Sequence, residues 1–461
     1  MKKLLKNGWV VNGNGVKKQD ILLDGERIAA MGSLTEEADE VVDLTGRYVF
    51  PGFIDGHTHF DLEVSGTVTA DDFATGTRAA LAGGTTVIID FATQNKGESL
   101  KEAYENWEKK AARGCSCDYG FHMAISDWND QVKEEIPDMM NLGITSFKLY
   151  MTYPAMRLDD GQLCEVIREL KKYGCFAGVH CENADLIDAN IRQARAEGRL
   201  GPENHPKVRP AELEAEAVHR LMVIAGQAKA PVMVVHTTGE LALEEIKRAR
   251  ERGQTVYAET CPQYLLLDKT VFEKPDFEAA KYICSPPMRE KENQQYLWNA
   301  IQEGQIDTVA TDHCSFTMEQ KRMGEADFSK IPNGMPGVEN RGELLFQYGV
   351  LEKRITPERM CQVLAENPAK LYGLYPKKGI LAPGSDGDIV VLNPKKPSVI
   401  TAKAQHYNMD YSPYEGFALE GSIEQVYLRG QLAVQDGQIL LEKGGNYLKR
   451  GLPAYERKEQ A

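Results

Sequence analysis

The sequence predicts an α/β protein in which a (β/α)8 TIM-type barrel is joined to a small β-sandwich domain formed from both chain ends. Eight short runs of β-branched and apolar residues alternate with amphipathic helical stretches, a pattern typical of a parallel sheet covered on both faces. Both chain ends instead carry short alternating strands separated by turn residues. No G-x-G-x-x-G motif follows the first strand, which disfavours an open doubly wound sheet.

The eight predicted strands occupy the middle of the chain. They span residues 52–60, 85–91, 118–125, 146–151, 176–182, 231–238, 255–261 and 307–313. Helical patterns such as "AELEAEAVHRLMVIAGQ" and "LALEEIKRARERG" lie between them. Eight strand–helix units in succession match the repeat of a closed barrel.

The change in pattern along the chain predicts four segments. The ends resemble each other, as in "EVVDLTGRYVF" near the start and "GSDGDIVVLNP" towards the end, which favours one small domain built from both. We expect the sandwich to take residues 1–50 and 376–440, the barrel 51–375, and a C-terminal tail 441–461.

Composition excludes several classes of partner. The 461 residues are 42% hydrophobic and 26% charged, with a net charge of −14, so nucleic acid is not an expected partner. No apolar run approaches the ~18 residues of a membrane-spanning helix, and no secretory signal is recognisable. The nine cysteines form no C-x-x-C pair, which indicates free thiols and predicts a cytoplasmic location.

Metal-binding residue types recur at the predicted carboxyl ends of the barrel strands, where barrel enzymes carry their active sites. They are His57, His59, Lys148, His180, His236 and Asp312. Residues i and i+2 of a strand face the same side, so His57 and His59 can chelate one ion. His180 and His236 suit a second ion. Imidazole with carboxylate favours zinc, manganese or cobalt.

The alternative to a metal site is that these histidines have a structural role in the core. A single His-x-His pair is weak evidence, and a lone strand histidine is more often a core residue. The shared strand-end position of four histidines out of nine favours the metal site. Of the other five, His122 and His313 are expected to support the ligands, while His205, His219 and His406 are expected on loops or helix surfaces.

Lys148 interrupts the apolar strand "SFKLYM". Burial of an ammonium group is costly and lowers the lysine pKa from ~10.4. A neutral amine can add CO2, and the resulting carbamate has two oxygens that can bridge two cations. The alternative is a lysine whose stem packs while its head reaches water. The spacing alone favours neither.

Several long motifs resemble the cyclic amidohydrolases, and most of all the dihydropyrimidinase/D-hydantoinase family, particularly the phenylhydantoinases. They include "PGFIDGHTHF", "SFKLYMTY", "ETCPQYLLLD" and "IPNGMPGVENR", and the resemblance extends over nearly the whole chain. It implies a metal-dependent hydrolase, usually a homotetramer and sometimes a dimer. The implied substrate is a small cyclic imide, namely a 5-monosubstituted and D-selective aryl hydantoin, which is opened to an N-carbamoyl amino acid.

The resemblance also implies how two divalent ions, zinc or else manganese or cobalt, are held. His57, His59 and Asp312 match the ligands of the more buried ion, and His180 and His236 those of the second. Lys148 matches a carboxylated lysine that bridges both.

The catalytic roles follow from the same resemblance. Asp312 would act as general base and acid around a hydroxide held between the ions. Tyr153 would donate to the developing oxyanion, and backbone groups of Ser285 and Asn333 would hold the imide ring.

Two loops depart from the family pattern, at residues 60–67 and 153–162. The resemblance assigns both to the exocyclic substituent of the substrate, so the preferred substituent is open. The alternatives are a dihydropyrimidinase acting on dihydrouracil or dihydrothymine, an allantoinase, and a non-catalytic relative. Dihydroorotase is disfavoured because no arginine follows "HTHFD". The complete ligand set weighs against a non-catalytic relative.

Overall fold

The computed structural model describes residues 1–455, and its centre is a barrel of eight parallel strands in chain order. The strands are Phe53–Thr58, Thr85–Thr93, Asp118–Ala124, Ser146–Tyr150, Phe176–His180, Val232–Val234, Val256–Thr260 and Thr308–Val309. Thr58 and His313 form a parallel bridge that brings the two outer strands together. The predicted barrel is therefore confirmed.

The sixth and eighth barrel strands end earlier than predicted. They stop at Val234 and Val309, so His236 and Asp312 lie in the loops that follow. Both residues have a left-handed backbone, with φ of 39° and 52°. A strand cannot continue through such a residue, and the apolar pattern does not reveal where the backbone turns.

Helices connect the barrel strands and cover the barrel. The longer ones are Phe73–Ala82, Leu100–Ala111, Asp130–Asn141, Asp160–Lys172, Ala184–Ala196, Ala211–Ala228, Glu240–Glu251 and Glu292–Gln302. Short α-helices lie at His205–Val208, Pro262–Leu266, Met318–Lys321, Arg341–Leu345, Pro357–Cys361 and Asn367–Leu371. The side chains of Asp72, Ser99 and Asp159 cap three of the longer helices through capping boxes. No helix among residues 1–455 has the length and apolar character needed to span a membrane.

Nine strands from the two chain ends form one further sheet. They are Lys2–Asn12, Gly15–Asp24, Arg27–Gly32, Glu40–Asp43, Tyr48–Pro51, Ile389–Asn393, Ser422–Leu428, Gln431–Gln435 and Gln438–Ile439. Tyr48–Pro51 pairs antiparallel with Ile389–Asn393 and so joins the two ends. Val10, Val49 and Val391 are buried in one apolar cluster of this sheet. The expected extra β-structure from both chain ends is therefore present as one sheet.

The chain beyond this sheet packs against the amino ends of the barrel strands. The Leu448 N–H donates to the Tyr119 carbonyl over 2.7 Å, and the Arg450 guanidinium donates to the Ser146 hydroxyl over 2.8 Å. Arg450 is buried. Residues 456–461 of the predicted tail lie outside the described residues.

Lys378 fastens the terminal sheet to the barrel. Its Nζ lies 2.7 Å from Asp118 at the start of the third barrel strand and 2.7 Å from Asp388 beside the sheet. Asp386 is 3.1 Å away, and the lysine side chain is only 1% exposed. Three carboxylates therefore share one buried ammonium group.

Replacement of Lys378 by Met should lower the free energy of unfolding by about 3–5 kcal/mol, because it leaves the buried Asp386 and Asp388 carboxylates without their nearest cation, while Asp118 keeps Arg429. Urea unfolding followed by circular dichroism measures the change. Lys377→Met is the matched control, because the Lys377 side chain is 55% exposed, and it should stay within about 0.5 kcal/mol of the parent. Equal losses in both variants would contradict a fastening role for Lys378.

Candidate metal centre

Histidines and an aspartate from distant parts of the chain meet at the carboxyl ends of the barrel strands. Potential ligand atoms of His57, His236 and Asp312 all lie within 4.8 Å of one another. The Nε2 atoms of His57 and His59 are each 3.2 Å from Asp312 Oδ1. All four side chains are buried or nearly so. This donor set suits a divalent metal ion.

Glu259 orients the His57 imidazole. His57 Nδ1 lies 2.7 Å from Glu259 Oε1, which assigns the proton to Nδ1 and leaves the Nε2 lone pair towards Asp312. Burial, reinforced by the nearby charge of Lys148, lowers the pKa of His57 well below its ordinary value. A neutral imidazole of this kind is the form that binds metals.

His180 and His236 lie together, with ring centroids 4.6 Å apart. His180 Nε2 contacts Glu182 over 2.7 Å, and Glu182 also accepts a 2.6 Å hydrogen bond from Arg209. Only Nδ1 of His180 is thus left as a possible ligand atom. His236 Nδ1 is buried, and no residue between 1 and 455 hydrogen-bonds to it. A buried nitrogen without a hydrogen-bond partner costs free energy. This nitrogen belongs to the cluster of potential ligand atoms, where a bound cation would provide the missing partner.

Asp312 is held as a carboxylate. Burial alone would raise its pKa, but the neighbouring His57 and His236 imidazoles and the hydrogen bond with His59 hold the pKa below its ordinary value. The side chain is 13% exposed, the largest exposure among these ion-pair partners. Asp312 is therefore an anionic group that a molecule in the barrel mouth can reach.

Lys148 lies beside these candidate ligands and is 1% exposed. The alternative in which its head reaches water is therefore wrong. Its Nζ is 3.5 Å from His57 Nε2 and about 5 Å from the ring centroids of Phe91 and Tyr150. Within the described chain, no carboxylate oxygen lies within 4.0 Å of this nitrogen. Burial lowers the pKa of Lys148, which favours the neutral amine.

Tyr153 lies at the edge of the same cluster. Its ring centroid is 5.2 Å from that of His180, and burial raises the pKa of the phenol, so the hydroxyl keeps its proton and can donate. Tyr153 has a φ of 67° and shares the left-handed backbone with His236 and Asp312. Such strained residues concentrate at functional sites.

Ser285 and Asn333 lie on two neighbouring loops. The Gly334 N–H donates to the Ile283 carbonyl over 2.9 Å and holds these loops together. The Ser285 side chain lies beside Tyr153, and its buried Oγ has no hydrogen-bond partner among residues 1–455. Within the same residues, neither the Ser285 N–H nor the Asn333 N–H donates a hydrogen bond. Two free backbone donors thus accompany an unsatisfied hydroxyl.

Three residues that contribute to this region were not predicted from the sequence. Glu259 is the single charged residue of the strand "VYAET", the same signal that Lys148 gives. Glu182 follows His180 by two residues, so the i, i+2 rule could have found it. His205, expected at the surface, is buried, and its Nε2 donates to the Cys284 carbonyl over 2.8 Å. The short polar helix His205–Val208 gives no apolar stripe from which burial could be predicted.

The two loops that the sequence analysis assigns to the substrate's substituent follow the first and fourth barrel strands. The first overlaps a small hairpin over residues 63–68, in which Glu63–Val64 pairs with Thr67–Val68. Gln320 anchors this hairpin through a 2.9 Å hydrogen bond to the Thr67 hydroxyl. The second loop follows Tyr153 and ends where Asp159 caps the next helix.

Comparison with known proteins gives a consistent result over the whole chain. Residues 48–433 match the family described as "Amidohydrolase family". A D-hydantoinase of Geobacillus stearothermophilus is 46% identical over 98% of this chain and 97% of that protein. A D-phenylhydantoinase of Escherichia coli strain SE11 is 44% identical over 98% of both. The crystal structure of a dihydropyrimidinase from Brevibacillus agri NCHU1002 has a TM-score of 0.97 at 44% identity, over 99% of this chain and 100% of that one.

Replacement of His57 by Ala should weaken divalent metal binding by more than the ~10–100-fold that loss of a supporting partner costs, because a ligand atom itself is removed. The measurement is bound metal per chain by mass spectrometry after chelation, reloading with zinc and dialysis. His219→Ala is the matched control, since His219 lies on a helix with its side chain 57% exposed. Full metal retention by His57→Ala would exclude His57 as a ligand.

Proposed function

The chain belongs to the amidohydrolase family and, within it, to the dihydropyrimidinase/D-hydantoinase family; on this basis we propose that it hydrolyses the cyclic amide bond of 5-monosubstituted hydantoins to give N-carbamoyl amino acids. The names of the D-hydantoinase and D-phenylhydantoinase relatives support D-selectivity and aryl substituents. The observation that carries the proposal is the buried cluster of His57, His236 and Asp312 in a chain 46% identical to a D-hydantoinase.

Two divalent ions fit the donor groups of the site. His57, His59 and Asp312 would hold one ion, and His180 and His236 the other. Zinc is the first candidate, with manganese and cobalt as alternatives. When bound, such ions supply Lewis acidity and lower the pKa of water towards neutrality.

Lys148 would complete the site as an N6-carboxylated lysine. The amine that burial favours adds CO2, forming an N–C bond and releasing one proton, and the product is an anion with two oxygens. The ammonium form has no carboxylate within 4.0 Å among residues 1–455, so it lacks the counter-charge that a buried cation requires. Carboxylation replaces this unpaired cation by an anionic ligand that both ions can share.

Residues of the chain supply the remaining chemistry. The Asp312 carboxylate takes a proton from the attacking water and delivers it to the ring nitrogen as the C–N bond breaks. The Tyr153 hydroxyl donates a hydrogen bond to the carbonyl oxygen as that oxygen becomes negative. A contact of this type is worth about 3–4 kcal/mol in other enzymes. The free N–H groups of Ser285 and Asn333 bind ring carbonyl oxygens and so orient the ring.

Dihydropyrimidine ring opening is the second candidate function. The structural likeness to a dihydropyrimidinase, at a TM-score of 0.97, is the observation that favours it. Both reactions open a cyclic amide with the same groups, so the difference would lie in the loops at 60–67 and 153–162.

The assembly and location of the chain are part of the proposal. We propose a homotetramer, with a dimer as the alternative, on the resemblance to the family alone. Nine unpaired cysteines, eight of them buried, support a reducing compartment such as the cytoplasm.

A ring-opening assay on metal-loaded protein tests the function. We expect D-5-phenylhydantoin to be opened fastest in a panel with L-5-phenylhydantoin, dihydrouracil, allantoin and dihydroorotate, with product formation followed by chromatography. Asp312→Asn is the control for contaminating activity and should lower turnover by at least ~10²–10⁴-fold. A preference for dihydrouracil would replace the proposal by the second candidate, and no opening of any ring would reject both.

Replacement of Lys148 by Ala should remove both bound metal and activity, because the shared anionic ligand is lost. Propionate should restore part of both in Lys148→Ala, since its carboxylate can occupy the vacated space. The matched control is His57→Ala. Propionate should not restore this variant, because the group that is missing from it is an imidazole and not a carboxylate. Metal content per chain and initial rates are measured with and without propionate. A Lys148→Ala protein that keeps its full metal content would exclude a shared ligand at this position.

A further inference from the structure

Lys321 is buried close to the proposed ring-binding loops and has no role in the proposed chemistry. It is 0% exposed and ends the short helix Met318–Lys321. Its Nζ donates to three backbone carbonyls, of Ile283 at 2.9 Å, Pro332 at 2.7 Å and Gly334 at 2.8 Å. An ammonium group has three N–H donors, so all of them are used.

These three carbonyls belong to the two loops that carry Ser285 and Asn333. Lys321 thus joins both loops, in addition to the Gly334–Ile283 hydrogen bond between them. Burial lowers the pKa of Lys321 to about 7, so the ammonium form that donates all three hydrogen bonds predominates below that pH. No carboxylate within the described chain lies within 4.0 Å of its Nζ, so the carbonyl contacts are what compensates for burial of the ammonium group.

The contact with Pro332 determines the direction of the Asn333 N–H. The Pro332 carbonyl and the Asn333 N–H belong to one trans peptide unit, and in such a planar unit they point in opposite directions. Because Lys321 holds the carbonyl, the N–H is aimed away from Lys321. Among residues 1–455 this N–H has no acceptor.

His205 does the same for Ser285. Its Nε2 donates to the Cys284 carbonyl over 2.8 Å, and this carbonyl shares a trans peptide unit with the Ser285 N–H. Burial lowers the pKa of His205 to about 3, so the ring is neutral and provides one N–H donor. The Ser285 N–H likewise has no acceptor among residues 1–455.

We infer that Lys321 and His205 are positioning residues that aim the N–H groups of Asn333 and Ser285 at the carbonyl oxygens of a cyclic imide. The inference rests on the proposed function for the identity of the ligand. Its structural part, the fixed direction of two free N–H groups, does not depend on that function. A molecule with two carbonyl oxygens flanking a ring nitrogen presents acceptors of the required kind.

The test compares removal of each donor with its replacement. Lys321→Met and His205→Leu should each raise KM for D-5-phenylhydantoin about tenfold or more, as expected for one weakened hydrogen bond to a buried group. Metal content per chain should not change. His205→Gln, which offers an amide N–H at a similar reach, should restore most of the KM. Lys321→Gln keeps two N–H donors, so its KM should lie between those of the parent and of Lys321→Met. It replaces Lys321→Met in the test if the methionine variant does not fold.

Hydrogen–deuterium exchange supplies a readout that is independent of catalysis. The amide of Gly334 should exchange faster in the Lys321 variants, and those of residues 283–285 faster in His205→Leu. Lys378→Met is the matched control, because it also removes a buried ammonium group with three acceptors, but at the junction with the terminal sheet. It should lower stability without changing KM or exchange in either loop. All assays are made under conditions in which each variant is fully folded.

The outcomes separate the inference from the proposed function. Unchanged KM and unchanged loop exchange in Lys321→Met and Lys321→Gln would overturn the role of Lys321, whatever ring the enzyme opens. A His205→Gln variant no better than His205→Leu would overturn the role of His205 as a donor. If the parent opens no ring while loop exchange rises as expected, the proposed function falls and the positioning of the two N–H groups stands.

Discussion

The seam between the first and last barrel strands is the contact on which the candidate site depends. Thr58 pairs with His313, and the His59 N–H donates to the His313 carbonyl over 2.8 Å. This register makes His59 and Asp312 neighbours although 253 positions separate them. Arg341 strengthens the seam from inside, because its buried guanidinium donates to the carbonyls of both strands, at Ile54 and Val309. Without this closure the two halves of the candidate ligand set would lie on opposite edges of an open sheet.

Closure of the barrel also buries polar side chains, and burial of an unpaired polar group costs free energy. Most of these side chains are therefore paired. His57 is paired with Glu259, and His180 with Glu182. A buried polar atom without a partner is uncommon in native proteins. His236 Nδ1 and the Ser285 hydroxyl are two of the sixteen such atoms among residues 1–455. Both follow the carboxyl ends of barrel strands, where a ligand could satisfy them.

The two faces of the barrel divide these tasks. At the amino ends of the strands, Lys378 and Arg450 use buried charge to attach the terminal sheet and the chain end. At the carboxyl ends, loops carry residues with left-handed backbone conformations. This separation is general in barrel enzymes, since loops can vary at one face while the other maintains the fold. The Lys321 and His205 contacts hold the loops that carry Asn333 and Ser285, in addition to the Gly334–Ile283 hydrogen bond.

Local pattern was sufficient to predict the number and order of the strands. Apolar runs and helical periodicity depend on near neighbours, so all eight barrel strands and the sheet from both ends follow from the sequence. The candidate ligand residues follow as well, because all of them except Lys148, which interrupts an apolar strand, lie close to or just beyond the end of a strand. Their role as ligands remains a proposal that metal analysis must decide.

The sequence by itself determined which residue types stand near the strand ends, because continuous apolar runs separated by helical periodicity are visible in the local order of residues. It did not determine the turns at His236 and Asp312, the depth of Lys148, or the burial of His205. Nor could it pair His57 with Glu259, which lies 202 positions away. These features were decided only by tertiary structure, because each depends on which distant segments meet when the barrel closes, and periodicity within one segment carries no information about its partner.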